Sequence, residues 1–547
     1  MTRNLSPRTG SILPTTRRLP LTAVLAILVM SCVGESPPAA DAGPSTGGLP
    51  VAALGGAALS GPDSAWMDVE PGVAAAQGSS DSREGAPGTA NTDKSDVADV
   101  LADGQKVADA TESTAPEEVT VESTVAGDPH ATEEPEEVQT FPAPSATTGE
   151  GRPVTRLVLP GEPLVFTRPK AVRGIYLNGW ASGSRLRSEN AIALAKRTEI
   201  NSFVIDLKDA TGYVSHPTQV MFAREVGADQ EIRIRDLVGF LERLHRADIY
   251  PIARIVIVKD PLLVERRPDL AVQDTSGGVW VDGKGLVWAN MYHPTVWAYH
   301  VALAKEAIAV GFPEIQWDYL RFPDAPEEEL SRAWYPGQGA RTRTQAVREF
   351  LEYAREELGD VAMTADVFGV TTSARTDVGI GQLWEEFIGA VDVALPMVYP
   401  SHYWVGSFGI QDPNGHPYEI VKRALTDARR RSADVEGAGT TRPWLQDFTL
   451  GAPAYGAPEV RAQIEATYDA GVDEWVLWNP SSRYSEAALA PAGGYPEGTE
   501  PIIRVGGKIV PVSEREAAVE AERLAQAAAA ADSVANVAPA DTTEIRR

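Results

Sequence analysis

Between residues 172 and 480 short apolar runs alternate with segments whose apolar residues recur every three to four positions, the pattern of strands leading into amphipathic helices. Eight runs read as strands: VRGIYLNGW (172–180), NSFVIDLKD (201–209), YPIARIVIVKD (250–260), PEIQWDYLRFPD (313–324), VAMTADVFGV (361–370), VDVALPMVYP (391–400), PWLQDF (443–448) and DEWVLWNP (473–480). The spacing predicts helices over 188–198, then through Leu237, Phe240, Leu241 and Leu244, and over 295–310, 341–358, 380–390, 417–431 and 458–470. The third run is almost continuously apolar, as expected of a strand covered on both faces. Within 261–291, Asp282-Gly283 and Lys284-Gly285 mark tight turns of a small hairpin over the strand ends. Eight strand and helix alternations predict an α/β fold, a (β/α)8 TIM barrel with long loops. A doubly wound open sheet would want a Gly-rich phosphate turn after the first strand, and LNGWASGSR has none.

The rest of the chain has a different composition. Residues 1–20 carry Arg3, Arg8, Arg17 and Arg18, and the apolar run LTAVLAILVM then leads to Ser31-Cys32. That run is too short to span a bilayer, which needs roughly 20 helical residues, so it reads as a secretory signal. Cys32 is the only cysteine of the 547 residues and stands where a lipoprotein-type signal carries its lipid-modified residue. Export meets an oxidising compartment, where a stray thiol is a liability, and this favours lipidation over an incidental cysteine. The chain is therefore expected to be an exported lipoprotein held on the membrane of a bacterial cell envelope.

The net charge of −27 is mostly local. From 33 to 150, Asp and Glu face only Arg83, Lys94 and Lys106, and Trp66 and Phe141 are the sole aromatics. Such a stretch buries too little apolar surface to offset its chain entropy and is expected to be a disordered acidic linker over 33–165, spanning about 60 Å. The predicted organisation is a signal over 1–32, that linker, a barrel over 166–505 and an Ala/Glu-rich tail over 506–547, with a solvent-exposed helix near 513–532. No dense basic stripe is present, so nucleic acid is not an expected partner.

Side-chain parity along each strand lists what faces the barrel axis near the C-terminal rim, where barrel active sites lie. The list is Tyr176, Asn178, Asp206, Lys208, Arg254, Gln316, Asp318, Thr364, Asp366, Tyr399, Gln446 and Trp478. Polar groups clustered at one end of a barrel imply a wet, shaped pocket. Asp318 and Asp366, on neighbouring strands, are the paired carboxylates that glycoside hydrolysis needs, one to donate a proton and one to attack or to activate water. On this reading Asp318 is the nucleophile or base, kept ionised by Arg321, and Asp366 is the acid, raised by the apolar Val367 and Phe368. Asp206 and Asp209 flank Lys208, where a salt-bridged rim is as good a reading as a substrate contact. Asp447 points away from Gln446 and carries no role. Trp180, Tyr399, Tyr403, Trp404 and Trp478 could stack on sugar faces. His293 and His300 lie seven apart and form no metal motif, no GxSxG elbow exists, and no metal or cofactor is expected.

In order, VRGIYLNGW, NSFVIDLKDATGYV, EIQWDYLRFPD, TADVFGVTT, ALPMVYPSHY, PWLQDF and EWVLWNPSSRY resemble the bacterial putative glycosyl hydrolase family first catalogued as a domain of unknown function. The resemblance covers about 172 to 485. It implies a TIM barrel akin to alpha-amylase-like hydrolases, whose nucleophile Asp ends strand four, matching Asp318; relatives take the acid from strand five or later, which leaves Asp366 open. A non-catalytic carbohydrate-binding barrel of the envelope is the alternative, since fold alone does not separate the two. Facing carboxyl groups favour an enzyme, and a carboxylate locked in a buried ion pair favours a binder.

Overall fold

The computed structural model describes residues 164–535. The signal segment 1–32 with Cys32, all but the last two residues of the acidic stretch, and the end of the tail lie outside the described residues. Eight strands form one closed, all-parallel ring: β1 (Arg173–Leu177), β2 (Ser202–Lys208), β3 (Tyr250–Val256), β4 (Glu314–Asp318), β5 (Ala362–Phe368), β6 (Val393–Met397), β7 (Trp444–Gln446) and β8 (Trp475–Trp478). Each pairs with the next in sequence, β8 pairs back onto β1, and Met397 opposite Trp444 joins β6 to β7. This is the expected (β/α)8 barrel.

The helices that cover it are α1 (Arg185–Arg197), α2 (Leu237–Arg246), α3 (Pro294–Val310), α4 (Arg343–Leu358), α5 (Pro417–Ser432) and α6 (Ala457–Asp469). Each begins where the local chemistry permits. Asp236 caps α2 by accepting from Gly239 N, Pro294 opens α3 at a position that needs no N–H donor, and Thr342 with Gln345 forms a capping box on α4. The apolar face predicted for α2, Leu237, Phe240, Leu241 and Leu244, is buried against the sheet. The helix expected over 380–390 shrinks to one turn, Trp384–Phe387, with a 3-10 turn after it. Gly379 and Gly381 sit at positive φ just before it, a left-handed path that a helix cannot follow.

Parity divides the strand side chains into two cores. Ile175, Phe203, Ile205, Ala253, Ile255, Ile315 and Trp317 face the helices. Val204, Ile252, Leu395, Trp444 and Val476 fill the barrel axis. Below them Arg442 pairs with Glu314 at 2.6 Å and Glu474 at 2.9 Å, closing the N-terminal end with charge. Residues 271–289 form the small hairpin foreseen around Asp282 and Gly285, and Gln273–Asp274 pairs antiparallel with Ala333–Trp334. After β8 the strands Ile502–Val505 and Lys508–Pro511 form a hairpin whose Ile503 and Val505 are fully buried, so structure continues across the 505/506 boundary. The helix expected near 513–532 spans Arg515–Ala535, here α7.

Candidate active site

The register of the central strands brings a single guanidinium among three carboxylates. Asp206 on β2 stands opposite Arg254 on β3, and two residues further along β3 Val256 stands beside Asp318 on β4. Arg254 donates through Nε (2.8 Å) and Nη2 to Asp318 Oδ2, and through Nη1 to Asp206 Oδ1. Its Nε lies 3.9 Å from Asp366 Oδ2, so Asp318 and Asp366 face one another across the same nitrogen. One cation cannot neutralise three anions in a site withdrawn from water. The carboxyl with the weakest claim on Arg254 is therefore the one that keeps a proton.

That carboxyl is Asp366, which is 1 % exposed. Burial, and then the charge of Asp318, hold it well above the ordinary carboxylate range against the pull of Arg254, Gln316 and Trp444. Gln316 Nε2 donates to both its oxygens at 2.9 and 3.0 Å, and Trp444 Nε1 donates to Oδ1 at 2.7 Å. Asp318 ends β4, where Oδ1 accepts from Tyr319 N. Tyr319 itself has φ of 50°, a left-handed conformation that costs a non-glycine residue on the order of 1–2 kcal/mol and turns the chain sharply away after the carboxylate. Burial pushes Asp206 up to about 6 despite Arg254, and Tyr176 donates its hydroxyl to that carboxylate. Tyr176 stacks on Trp478 with ring centroids 4.1 Å apart, and the Arg254 guanidinium lies over both rings. Tyr399, in the same inner cluster, borders Asp366 and Asp318.

Several residues chosen from parity lie elsewhere. Lys208 turns away from the axis because a bulge between Asp206 and Lys208 shifts the register by one residue. Its ammonium is buried on the helix side, 3.0 Å from Asp260 and 2.8 Å from Val256 O, where these two partners occupy it. Asn178 caps the short helix Gly179–Gly183, accepting from Ala181 N and donating to Pro480 O, which ties the amide to the loop backbone. Gln446 spends its side chain on Ser401 and on Phe448 O. Tyr403 packs in the outer core beside Phe408. Arg321 does not touch Asp318; Arg254 pairs with it instead, while Arg321 donates to Phe322 O. Asp209 pairs with Arg233, and Asp447 accepts from Ser485, so both are structural.

Trp180 and Trp404 are 55 % and 47 % exposed on the loops after β1 and β6. Trp180 lines a cavity of about 460 Å³ together with Arg185, Arg233, Arg235 and Arg243. Sequence reasoning missed two residues. Trp444 shares a face with Gln446, which should have flagged it, and Trp334, 56 % exposed after β4, lay in a loop that parity does not reach. Among the described residues no group of three or more His, Cys, Asp or Glu is arranged to hold a metal ion.

A family profile described as "Putative glycosyl hydrolase domain" matches residues 174–484. No curated protein matches the chain. Among solved structures, a hypothetical protein from Ruminiclostridium thermocellum is 39 % identical over 35 % of this chain and 97 % of its own, with a TM-score of 0.33. The PgaB (BpsB) glycoside hydrolase domain from Bordetella bronchiseptica is 12 % identical over 57 % of this chain and 95 % of its own, with a TM-score of 0.44. The alpha-galactosidase TtGalA from Thermus thermophilus is 16 % identical over 58 % and 60 %, with a TM-score of 0.37.

Proposed function

Because the chain belongs to the family of putative glycosyl hydrolase domains, we propose that its barrel cleaves glycosidic bonds with Asp366 as the acid and Asp318 as the nucleophile or base. The observation that carries this reading is the unequal sharing of Arg254 by two facing carboxyl groups. Asp366 holds the proton that the leaving oxygen needs when the glycosidic bond breaks. Asp318, held in an ion pair by Arg254, attacks the anomeric carbon or takes a proton from water. Arg254 positions that carboxylate and contributes no proton. The exposed indoles of Trp180, Trp334 and Trp404 around the mouth support a polymeric or oligomeric glycan.

The buried Arg254–Asp318 pair also suits a second reading, a barrel that binds carbohydrate without cleaving it. Asp318→Asn separates the two, because it keeps the shape of the side chain and removes the anion. Cleavage, read as new reducing ends on a glycan panel, is expected to fall by at least about 10³-fold while glycan binding and the melting temperature stay near wild type. Wild-type turnover in that variant would sink the catalytic assignment, and binding without new ends by the wild-type chain would establish the binder.

We propose further, on the strength of the sequence, that the chain is exported and held at a membrane of the cell envelope by lipid on Cys32, so that its substrate is a cell-surface or extracellular polysaccharide. The support is the basic and apolar run that ends at Cys32 and the acidic stretch after it. No described helix is long and apolar enough to cross a membrane. Cys32→Ala is expected to move the protein from the membrane fraction to the soluble fraction without changing the barrel's activity. Membrane retention of the variant overturns the anchor.

A further inference from the structure

Arg321 follows Asp318 by three residues and stands at the same rim, yet it serves none of the carboxylates there. It is 5 % exposed. Its guanidinium carbon lies 4.8 Å from the ring centre of Phe368, 4.9 Å from Trp288 and 5.0 Å from Tyr319, so three aromatic rings surround it. Phe368 belongs to the inner cluster two residues beyond Asp366, and Tyr319 adjoins Asp318, which fixes the guanidinium beside the candidate catalytic pair.

The hydrogen bonding of Arg321 is one-sided. Nη1 donates to Phe322 O at 3.1 Å, while Nε is buried with no acceptor, and no bond from Nη2 is made among the described residues. Three carboxylates of this region are committed to other groups. Asp318 belongs to Arg254, Asp366 accepts from Gln316 and Trp444, and Asp282 accepts from Lys284 N, Leu286 N and Trp288 Nε1. Lys259 brings a second cation to the same tyrosine, its Nζ 3.4 Å from the Tyr319 hydroxyl and 5.1 Å from the ring centre. Aromatic faces attract a guanidinium but supply no acceptor for an N–H. A buried charge without a counter-ion is unfavourable, and an unused N–H adds to that.

We infer that Arg321 is a specificity-determining residue that receives the carboxylate of an acidic sugar, so the glycan bound at this site carries uronic acid residues. The inference rests on the glycan reading of the same site. The Nε and Nη2 edge of a guanidinium matches the two oxygens of a carboxylate in a pair of parallel hydrogen bonds, and the aromatic walls fix the plane of the fork. A sulfate ester carries charge too, but its tetrahedral oxygens match the flat fork less well.

The test uses the full chain carrying Asp318→Asn, so that binding is read without cleavage. The probes are oligosaccharides of uronic acid, the same oligosaccharides after chemical reduction of their carboxyl groups to neutral hexoses, and sulfated neutral oligosaccharides. The expected result is at least about tenfold tighter binding of the uronide than of its reduced twin, the effect of one charge-assisted bidentate pair. Arg321→Gln is expected to erase that preference, and Arg321→Lys to restore part of it with an unchanged melting temperature. Equal binding of charged and reduced forms, absence of uronide binding, preference for the sulfated probe, or a preference that survives Arg321→Gln each overturns the inference. Cleavage by the parent chain is measured separately on the same probes, so a non-hydrolytic barrel that still selects uronides counts against the glycosidase and leaves Arg321 standing.

Discussion

Trp444 holds the proton balance of the site through one hydrogen bond. Its indole N–H favours the ionised form of Asp366, so it works against the burial that raises this carboxyl. An acid must be protonated to act, and its pKa sets the high-pH limb of the rate profile. Trp444→Phe removes the donor, lifts Asp366 further, and is expected to move that limb upward by about one pH unit, the worth of one hydrogen bond to a charged group. A profile of kcat against pH checks this; a limb that stays put or moves down shows that another group donates the proton. Parity places Asp206, Arg254, Gln316, Asp318 and Asp366 on the inner face, and the structure has all five there. Parity does not say which cation a carboxylate will choose. Arg321 was the nearer in sequence, and Arg254, from the neighbouring strand, reaches Asp318 because it stands opposite Gln316, two residues before Asp318 on the same face of β4.

At the scale of one element, β2 shows where period-two reasoning fails. The bulge after Asp206 gives Lys208 to the helix side, where it and Asp260 form a fully buried ion pair under Tyr299. Nothing in NSFVIDLKD marks the bulge, because every residue of the strand is buried and the sequence carries no alternation to break. Lys208→Met leaves the Asp260 carboxylate buried without its cation and is expected to cost about 3–5 kcal/mol, read as a lower melting temperature. Cleavage per folded molecule is expected to hold, since the side chain bonds to Asp260 and Val256 O and not to the carboxylate pair. A variant that melts like the wild type but loses turnover would return Lys208 to the substrate. The shortened turn at Trp384–Phe387 is a failure of another kind: the glycines before it were visible, and only their left-handed φ values were not.

Across the whole molecule the barrel was legible because eight apolar runs, each followed by a helical period, leave few other ways to bury both faces of a parallel sheet. The hairpin Ile502–Val505 with Lys508–Pro511 was not, since its strands are four residues long and their burial depends on α5 and α6, which sequence order does not place beside them. The ring also carries a charge at each end of one strand. Glu314 opens β4 against Arg442, and Asp318 closes it against Arg254. Val204, Ile252, Leu395 and Val476 lie between the two ends as an apolar plug. The barrel is thus two electrical compartments with insulation between them, and the lower one can be rebuilt without retuning the upper. Replacing a buried ion pair together with its partners by apolar groups of similar volume is often neutral or stabilising. For an engineer, Arg442, Glu314 and Glu474 are the place to seek a sturdier barrel whose mouth still titrates as before.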